Sequence, residues 1–406
     1  MENEKRYYKW YLLFLVIVTN MLVVAIPVMG MSVLAKEISQ DLHLDLVQVG
    51  IVWGVGALPG IVTGLLGGAI GDKIGPKRIM IAGCLLAGLV GAARGLAVDF
   101  LSMVVVVMVG GALAPVLVMN GMKTCGMWFP AQQLGLANGL ISMGMALGFL
   151  LGAMFSATTL SPLLGGWRNV LILYGLAGAG LALPWVFTRA VQLSHQTAQP
   201  QVSIRETVIR VAHLKDIWLL GLVLFGVGGA IQGMLGYLPL YLRDLGWEPL
   251  RADGTLTAFH TISMVFVLPI AIWSDRLKSR KSLLFVAGLM VALGAGLLTF
   301  AQGGLVWIAV LIAGFVRDGF MAIYMTMIIE TEGIGPTYVG TATGFATGIS
   351  GLGMVLAPPL GNSLAVLWPG APFTFWSVLT LAGLACLALV KRGQRAPEPV
   401  MAVGPL

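Results

Sequence analysis

The chain has 406 residues, of which 58% are hydrophobic and only 10% are charged, and its mean hydropathy is +0.93. This composition excludes a water-soluble globule, because too few polar residues are present to cover one of that size. The formal charge of +7 would suit nucleic-acid binding in a soluble protein, but in a membrane protein the placement of the basic residues matters more, and no nucleic-acid partner is expected.

Twelve apolar runs are long enough to cross the hydrocarbon core as helices. We number them spans 1 to 12, at 11–34, 46–70, 79–97, 101–125, 133–158, 167–187, 216–242, 254–273, 282–301, 305–329, 337–362 and 368–390. With the N-terminus in the cytoplasm, eighteen of the 24 Lys and Arg residues are cytoplasmic, and five, Arg94 and Arg243 among them, lie outside. This distribution predicts a multi-pass protein of the inner or plasma membrane with both termini in the cytoplasm.

Spans 1 and 2 contain candidate cavity residues and a regular glycine pattern. Asn20 lies in the middle of span 1, and Trp53 lies in span 2, where its indole could instead be an interfacial anchor. Glycines occupy every fourth position of span 2, at Gly56, Gly60, Gly64 and Gly68. Small residues at this spacing allow two helices to approach closely.

The loop between spans 2 and 3 concentrates charge. Its charged residues are Asp72, Lys73, Lys77 and Arg78. The basic residues favour a cytoplasmic position for the loop, whereas Asp72 continues the glycine series of span 2 and is a candidate gate residue. The alternative is that all four residues only fix the topology.

Cofactor chemistry is not indicated. Cys84, Cys125 and Cys386 lie in or beside apolar runs without metal-ligand spacing, so neither a disulfide framework nor a metal site is expected. No Walker-type loop follows a strand, and no nucleophile, base and orienting group come together in the sequence. We therefore expect no enzyme, no ATP-driven pump and no cofactor.

Ionisable and polar side chains in the second half are functional candidates. Gln232 in span 7 corresponds to Asn20, and each could instead be an interhelical hydrogen-bonding residue. His260 in span 8 could take part in proton coupling, or it could simply be a hydrogen-bonded packing residue.

Span 10 carries charge at membrane depth, where ionisable groups are costly and so indicate function. Arg317 is expected to bind a substrate anion with its planar guanidinium, with Asp318 supporting it or carrying a proton. The alternative is that both residues only tie the helices together. Tyr324 follows Arg317 by seven positions and so shares its helix face.

Two halves of the sequence repeat each other. At an offset of 203 residues Asp72 falls on Asp275, and at an offset of 205 the pattern around Gly135 falls on that around Gly340. Span 11 carries its own glycine series, at Gly340, Gly344 and Gly348. The repeat predicts two halves in the same orientation, at 1–190 and 216–406, joined by a cytoplasmic linker at 191–215.

At these residues the chain resembles the major facilitator superfamily of transporters. The loop from Gly68 to Arg78 is similar to that family's signature G-x-x-x-D-R/K-x-G-x-R/K-R/K. Its weaker copy runs from Asp275 through Arg276 and Arg280 to Lys281, and Gly166-Trp167-Arg168 is similar to a common start of span 6. The resemblance implies an all-α fold of twelve helices in two pseudo-symmetric six-helix bundles, in which spans 2 and 11 meet and their glycine series face each other. Asp72 would then meet the positive end of the span 11 helix. The other gate residues expected in the loop and its copy are Lys73, Lys77, Arg78, Asp275, Arg276 and Arg280. The alternative is that the glycines pack within one half.

The resemblance implies a secondary transporter that works by alternating access. We expect a small organic anion as substrate, bound between the halves by Arg317 with Asn20, Gln232, Tyr324 and Trp53, and proton coupling through Asp318 or His260. Efflux of amphipathic compounds is the alternative, although the antiporter signature of span 5 is missing. A transporter-like membrane sensor is a further alternative. We expect a monomer whose partners are its small-molecule substrate and membrane lipid.

Overall fold

The computed structural model describes residues 2–189, 204–276, 280–315, 317–331, 333–334 and 338–390. Most of the predicted linker, at 190–203, therefore lies outside the described residues. The remainder is almost entirely helical, as the apolar runs predict.

The helices of the first six spans follow the predicted runs closely. They are α1 Glu2–Thr19, a π-helical turn Asn20–Ala25, α2 Ile26–Val33, α3 Ala35–Asp41, α4 Leu46–Gly54, α5 Ala57–Ile74, α6 Pro76–Ala93, a 3-10 turn Arg94–Leu96, α7 Phe100–Trp128, α8 Ala131–Phe155, a π-helical turn Ser156–Leu160, α9 Ser161–Leu164, α10 Trp167–Gly180 and α11 Ala182–Val186.

A short helix precedes the last six spans. The helices are α12 Ile204–Ala212, α13 Lys215–Asp244, α14 Pro249–Arg276, α15 Arg280–Leu298, α16 Gly304–Gly314, α17 Arg317–Ile329, α18 Val339–Ser363, a 3-10 turn Leu364–Val366 and α19 Ala371–Leu389. Within the described residues, eleven helical segments are long and apolar enough to cross a membrane. The twelfth, α14, has 28 residues and so is also long enough. The all-α, twelve-helix prediction is confirmed.

Helix ends are defined by local side-chain chemistry. Asp45 accepts a hydrogen bond from the backbone N–H of Gln48 at 2.8 Å, and the Gln48 side chain accepts one from Asp45 at 3.0 Å, which forms a capping box at the start of α4. Asp99 and Ser102 form the corresponding box before α7. Hydrogen bonds from Ser102 hold the pKa of Asp99 below its ordinary value.

Two pairs of helices join the halves. We call spans 1–6 the first half and spans 7–12 the second half; the side on which α1 begins is the terminal side, and the opposite side is the far side. Helix α8 packs against α14, and α4 packs against α18. Spans 2, 5, 8 and 11 therefore form much of the contact surface between the halves, and α13 of span 7 adds contacts with α2, α3 and α4.

Several spans are interrupted rather than continuous. In span 2, α4 ends at Gly54 and α5 begins at Ala57; in span 10, α16 ends at Gly314 and α17 begins at Arg317. Spans 1 and 5 each contain a π-helical turn, a feature that often marks functional sites. Hydropathy alone predicted continuous helices because it reports apolar length and not local winding.

The glycine series of span 2 does not face that of span 11, so this prediction is wrong for the present conformation. A Cβ at Gly56 would lie 3.3 Å from Val107, and one at Gly60 would lie 3.4 Å from the carbonyl oxygen of Gly111, both in α7 of the same half. Every fourth position of an α-helix rotates by about 40°, so such a series does not stay on one face. Packing within a half, the alternative weighed from the sequence, fits this series.

Span 11 meets span 2 at other positions. A Cβ at Gly348 would lie 3.4 Å from Ile61, whereas one at Gly340 would meet no atom within 4 Å. Gly344 is half-buried in the same helix. The surroundings of Gly68 lie outside the described part of the structure.

Candidate functional site

A network of charged side chains joins the two halves on the far side, and we call it the far-side ion network. Arg243 of α13 is 8% exposed, and its guanidinium contacts the carboxylates of Glu37 at 3.1 Å and Asp253 at 2.5 Å. Lys36 lies 3.0 Å from Asp244. Asp253 is 1% exposed, so its charge is balanced by Arg243 and not by water.

Neutral hydrogen bonds reinforce this closure. Ser32 donates to the carbonyl oxygen of Leu235 at 2.5 Å, and the amide of Asn362 donates to Leu46 at 2.8 Å. Gly50 lies so close to the backbone of Pro359 that a Cβ there would be 2.7 Å from its Cα atom. The far ends of the halves are therefore packed backbone to backbone.

The terminal side is organised within each half. Lys123 of α7 forms an ion pair with Asp72, and Arg280 forms one with Glu330. Asp72 thus contacts its own half, and among the described residues it forms no ion pair or hydrogen bond with span 11. A Cβ at Gly135 or Gly139, near the terminal end of span 5, would meet no atom within 4 Å, as at Gly340.

The other predicted gate residues have anchoring or exposed positions. Lys77 donates to the carbonyl oxygens of Val186, at 2.7 Å, and Thr188, and so holds the end of span 6. Lys281 makes the equivalent contacts at the end of span 12, to Ala388 and Val390. Lys73 and Arg78 are exposed. The side chains of Asp275 and Arg276 lie outside the described residues.

A cavity of about 260 Å³ lies among spans 1, 2, 3, 4 and 6 and reaches span 7. Two of the five predicted substrate-binding residues, Trp53 and Gln232, line it. They also bond to each other across the halves: the Trp53 indole donates to the carbonyl oxygen of Gln232 at 2.6 Å, and the Gln232 side-chain amide donates to the carbonyl oxygen of Trp53 at 3.4 Å. This pair closes one wall of the cavity.

Arg94 is the one charged residue among the described residues that line this cavity. The distribution of basic residues predicted that Arg94 lies on the outer side of the membrane. Its guanidinium instead lies beside Gly110 in α7, where a Cβ on Gly110 would collide with Nη2 of Arg94. The same wall carries Tyr174, whose hydroxyl lies 2.7 Å from that of Ser156 in the π-helical turn of span 5.

Arg317 and His260 lie together at the contact between the halves. The guanidinium carbon of Arg317 is 5.3 Å from the centre of the Phe149 ring of span 5, and the His260 ring is also 5.3 Å from it. His260 is fully buried, its Nε2 lies 3.2 Å from the Met29 sulfur, and its Nδ1 makes no hydrogen bond to the described residues. The two predicted residues therefore share one aromatic neighbour from the opposite half.

The remaining candidates do not line the cavity. Asn20 begins the π-helical turn of span 1 and is fully buried, and neither end of its amide bonds to a described residue. Tyr324 is fully buried in the core of the second half, where its ring stacks on Phe320 at 6.3 Å between centres. The side chain of Asp318 lies outside the described residues.

Sequence reasoning missed Arg94 and the far-side ion network as sites. Arg94, Arg243 and Asp253 lie at the ends of apolar runs, where charged residues are expected to face water. The available signal was that Arg94 follows Gly91 by three residues and Gly88 by six, and these glycines leave room for its side chain to turn inward.

Comparisons with known proteins identify the family. A model of the Major Facilitator Superfamily matches residues 12–333. The chain is 27% identical over 382 residues to the 3-(3-hydroxy-phenyl)propionate transporter of Escherichia coli K12, with 90% of each chain covered. It is 26% identical over 361 residues to a protein of Cupriavidus necator named "Probable sulfoacetate transporter SauU", with 80% of each covered.

Solved structures agree on the fold. A bacterial homolog of the human lysosomal transporter Spinster, in an inward-facing and unoccupied conformation, superposes with a TM-score of 0.74 at 15% identity, over 94% of this chain and 95% of that one. The twelve helices, the charged loop after span 2 and the family match over most of the chain lead to one conclusion. The chain belongs to the Major Facilitator Superfamily, and it is a multi-pass membrane transporter and not an enzyme.

Proposed function

We propose that this protein carries a small organic anion across the membrane by alternating access, with proton coupling. The observation that carries the proposal is the position of Arg317. Its guanidinium lies against Phe149 of the other half, so a ligand bound there would contact both halves. A ligand drives alternating access only through contacts that differ between the two conformations, and the contact surface between the halves is where such differences arise.

The relatives support an anionic substrate. One is named for a phenylpropionate and the other for sulfoacetate. Both compounds carry an acidic group with planar or forked oxygens on a small organic body. Arginine suits such groups because its fork donates two parallel hydrogen bonds.

The structure corresponds to one end of the transport cycle in this proposal. The terminal side carries most of the basic residues, so we assign it to the cytoplasm. The far-side ion network then closes the outer entrance, while the space beside Gly135 and Gly340 belongs to a path from the cytoplasm. In the reverse conformation Asp72 would leave Lys123 and meet span 11.

Proton coupling is assigned to His260 and Asp318. His260 is buried beside the same aromatic ring as Arg317, so a proton on its imidazole would place two positive charges close together. An anion at Arg317 would relieve that repulsion. Substrate and proton would then favour each other's binding, as symport requires.

A thermal-shift screen of the purified protein tests the charge of the substrate. The panel contains 3-(3-hydroxyphenyl)propionate, sulfoacetate, benzoate, propionate, methanesulfonate and nitrate, with benzamide and the cationic dye ethidium as neutral and cationic comparisons, each at pH 5.5 and 7.5. We expect at least one anion to raise the Tm, more strongly at the lower pH, because a ligand that binds the folded state stabilises it. Stabilisation by ethidium with no response to any anion would contradict the proposal.

Efflux of amphipathic compounds is the second candidate. The cavity wall favours it, since most of the lining side chains are valine, proline, alanine and glycine. Such a wall accepts apolar bodies of many shapes. The ethidium arm of the screen separates this candidate from anion transport.

A further inference from the structure

We propose that Arg94 is the residue that binds the acidic group of the substrate, at the closed end of the cavity in the first half. The proposal deepens the anion transport proposed above and rests on it. It assigns the main contact with the acidic group to Arg94 of span 3, whereas the sequence and the proposal above name Arg317 of span 10 for the anion.

The direction of the Arg94 side chain is the first argument. Long basic side chains near a helix end normally extend toward the membrane surface, where water solvates the charge. Arg94 instead reaches Gly110, ten residues beyond the start of α7 at Phe100, which is about 15 Å along the helix. Gly110 has no side chain to block it. The guanidinium therefore points into the protein and lines the cavity.

The guanidinium has no counter-charge. Its Nε is buried without a hydrogen-bond partner among the described residues, and no described carboxylate forms an ion pair with Arg94. By comparison, Arg243 contacts two carboxylates, and Arg168 lies 2.9 Å from Asp41. A half-buried cation without a counter-charge at this depth is costly, so its position indicates an anionic ligand as its partner.

The backbone that carries Arg94 is held in place. Arg168 of span 6 donates to the carbonyl oxygens of Gly95, at 3.2 Å, and Ala97, both in the turn that follows Arg94. Below this turn, Gly88 and Gly175 allow spans 3 and 6 to pack backbone to backbone, because a Cβ on either would collide with the other helix. Such support keeps a binding group oriented before the ligand arrives.

The rest of the cavity defines the body of the ligand. With one cation and no acidic lining residue among those described, the site suits a single negative charge. Its volume of about 260 Å³ is just below the roughly 300 Å³ at which pockets for drug-sized ligands begin. Val23, Val28 and Pro27 offer an apolar surface, and the amide of Gln232 is the contribution of the second half. We infer a small monoanion with a compact apolar body.

Gln232 couples ligand binding at this site to closure of the halves. Among the described lining residues it is the one that belongs to spans 7–12, and it bonds to Trp53 on the opposite wall. A ligand held by Arg94 at one end and touching Gln232 at the other would favour the closed contact between these spans. Its binding energy would therefore differ between the two conformations.

The experiment compares arginine variants by thermal shift. The probe is the anion among benzoate, propionate, methanesulfonate and nitrate that raises the Tm of the wild-type protein most. For Arg94→Gln we expect an unchanged or higher Tm without anion, because a half-buried charge without a counter-charge is removed. We also expect the anion concentration at half-maximal shift to rise at least about tenfold, since hydrogen bonds to charged groups are lost. The half-maximal concentration for Arg94→Lys should lie between those of the wild-type protein and Arg94→Gln, because lysine keeps the charge but not the forked guanidinium.

Arg251→Gln, which removes an exposed arginine at the start of α14, is the matched control, and Arg317→Gln tests the competing assignment. If Arg94 binds the anion, Arg251→Gln should retain the wild-type half-maximal concentration within about threefold, and Arg317→Gln should weaken the anion less than Arg94→Gln does. Wild-type affinity in Arg94→Gln with loss of the response in Arg317→Gln would overturn the assignment to Arg94 while leaving anion transport intact. A wild-type protein that responds to no anion would instead contradict the proposed function itself.

Two further measurements keep the test decisive if Arg94→Gln does not fold. Gly110→Ala places a methyl group where the guanidinium lies, so it should weaken the same anion without removing the charge. Benzamide has the shape of benzoate without its charge, so the preference for benzoate over benzamide should fall in Arg94→Lys. An unchanged preference in both variants would contradict the proposal.

Discussion

Replacing Arg243 with Gln should open the far side of the protein. Arg243 belongs to span 7 and holds Glu37 of the first half and Asp253 of span 8 in one network. The substitution removes the only guanidinium of the described network and leaves a buried carboxylate without its counter-charge. The conformation that closes the far side should become less stable than the one that opens it.

The size of the effect follows from burial. Asp253 is 1% exposed, so without Arg243 its carboxylate is unpaired and dry while the far side is closed, and it gains water when that side opens. Removing one partner of a buried ion pair costs about 3–5 kcal/mol, and this cost falls on the closed conformation. The side chain of Glu37 is 33% exposed, so loss of its ion pair with Arg243 adds little to this cost. A cost of this size changes the ratio of the two conformations by a factor of roughly one hundred to a few thousand. Moving an equilibrium from 99:1 to 1:99 takes about 5.5 kcal/mol, so the open conformation should become well populated.

Pulsed electron paramagnetic resonance can measure the opening. Spin labels at Val98→Cys and Leu367→Cys, which are 76% and 69% exposed in the far-side loops of the two halves, report the distance between them. The native cysteines Cys84, Cys125 and Cys386 are replaced by Ala in this background. The label distance should lengthen in Arg243→Gln.

The control is Arg251→Gln, which removes an exposed arginine at the start of α14 on the same side. It should leave the distance unchanged. The double variant Arg243→Gln with Asp253→Asn should recover much of the short distance, because the unpaired carboxylate is gone. An unchanged label distance in the single variant Arg243→Gln would refute the view that this network holds the far side closed.

Three other predictions concern packing and gating. Asp72→Asn breaks an exposed ion pair, so the free energy of unfolding should change by less than about 1 kcal/mol while uptake into proteoliposomes slows; unchanged uptake would contradict the gate. Gly88→Val should lower the Tm through an overpacking cost of about 1–3 kcal/mol, whereas Gly126→Ala, which meets open space, should not. Trp53→Phe loses one hydrogen bond to span 7, worth about 0.5–1.5 kcal/mol, and should lengthen the label distance slightly; no change would show that this bond is not part of the closure.

The twelve spans and the repeat could be predicted because they depend on apolar length and on spacing along the chain. Both halves are built from the same arrangement of helices in lipid. The charged loop after span 2 therefore has a counterpart before span 9. Lys77 donates to carbonyl oxygens at the end of span 6, and Lys281 does the same at the end of span 12. The apolar runs and the spacing of the repeated motif can be read directly along the sequence.

Arg94 and Asp253 could not be found in this way. Both lie at the ends of apolar runs, and whether such a residue faces water or protein depends on helices far away in the sequence. Gly110 makes room for Arg94, and Arg243 makes burial of Asp253 tolerable. The glycine series of span 2 was misassigned for the same reason, since its spacing does not specify which helix it meets.

Uptake of radiolabelled anion by proteoliposomes tests the central claim most directly. The vesicles contain the purified wild-type protein and are compared with protein-free vesicles and with Arg94→Gln, at an outside pH below and equal to the inside pH. We predict saturable uptake of benzoate or another small monoanion by the wild-type protein, beyond the protein-free leak, stimulated by the inward proton gradient and strongly reduced in Arg94→Gln. Uptake no greater than in protein-free vesicles for every anion tested would contradict the claim.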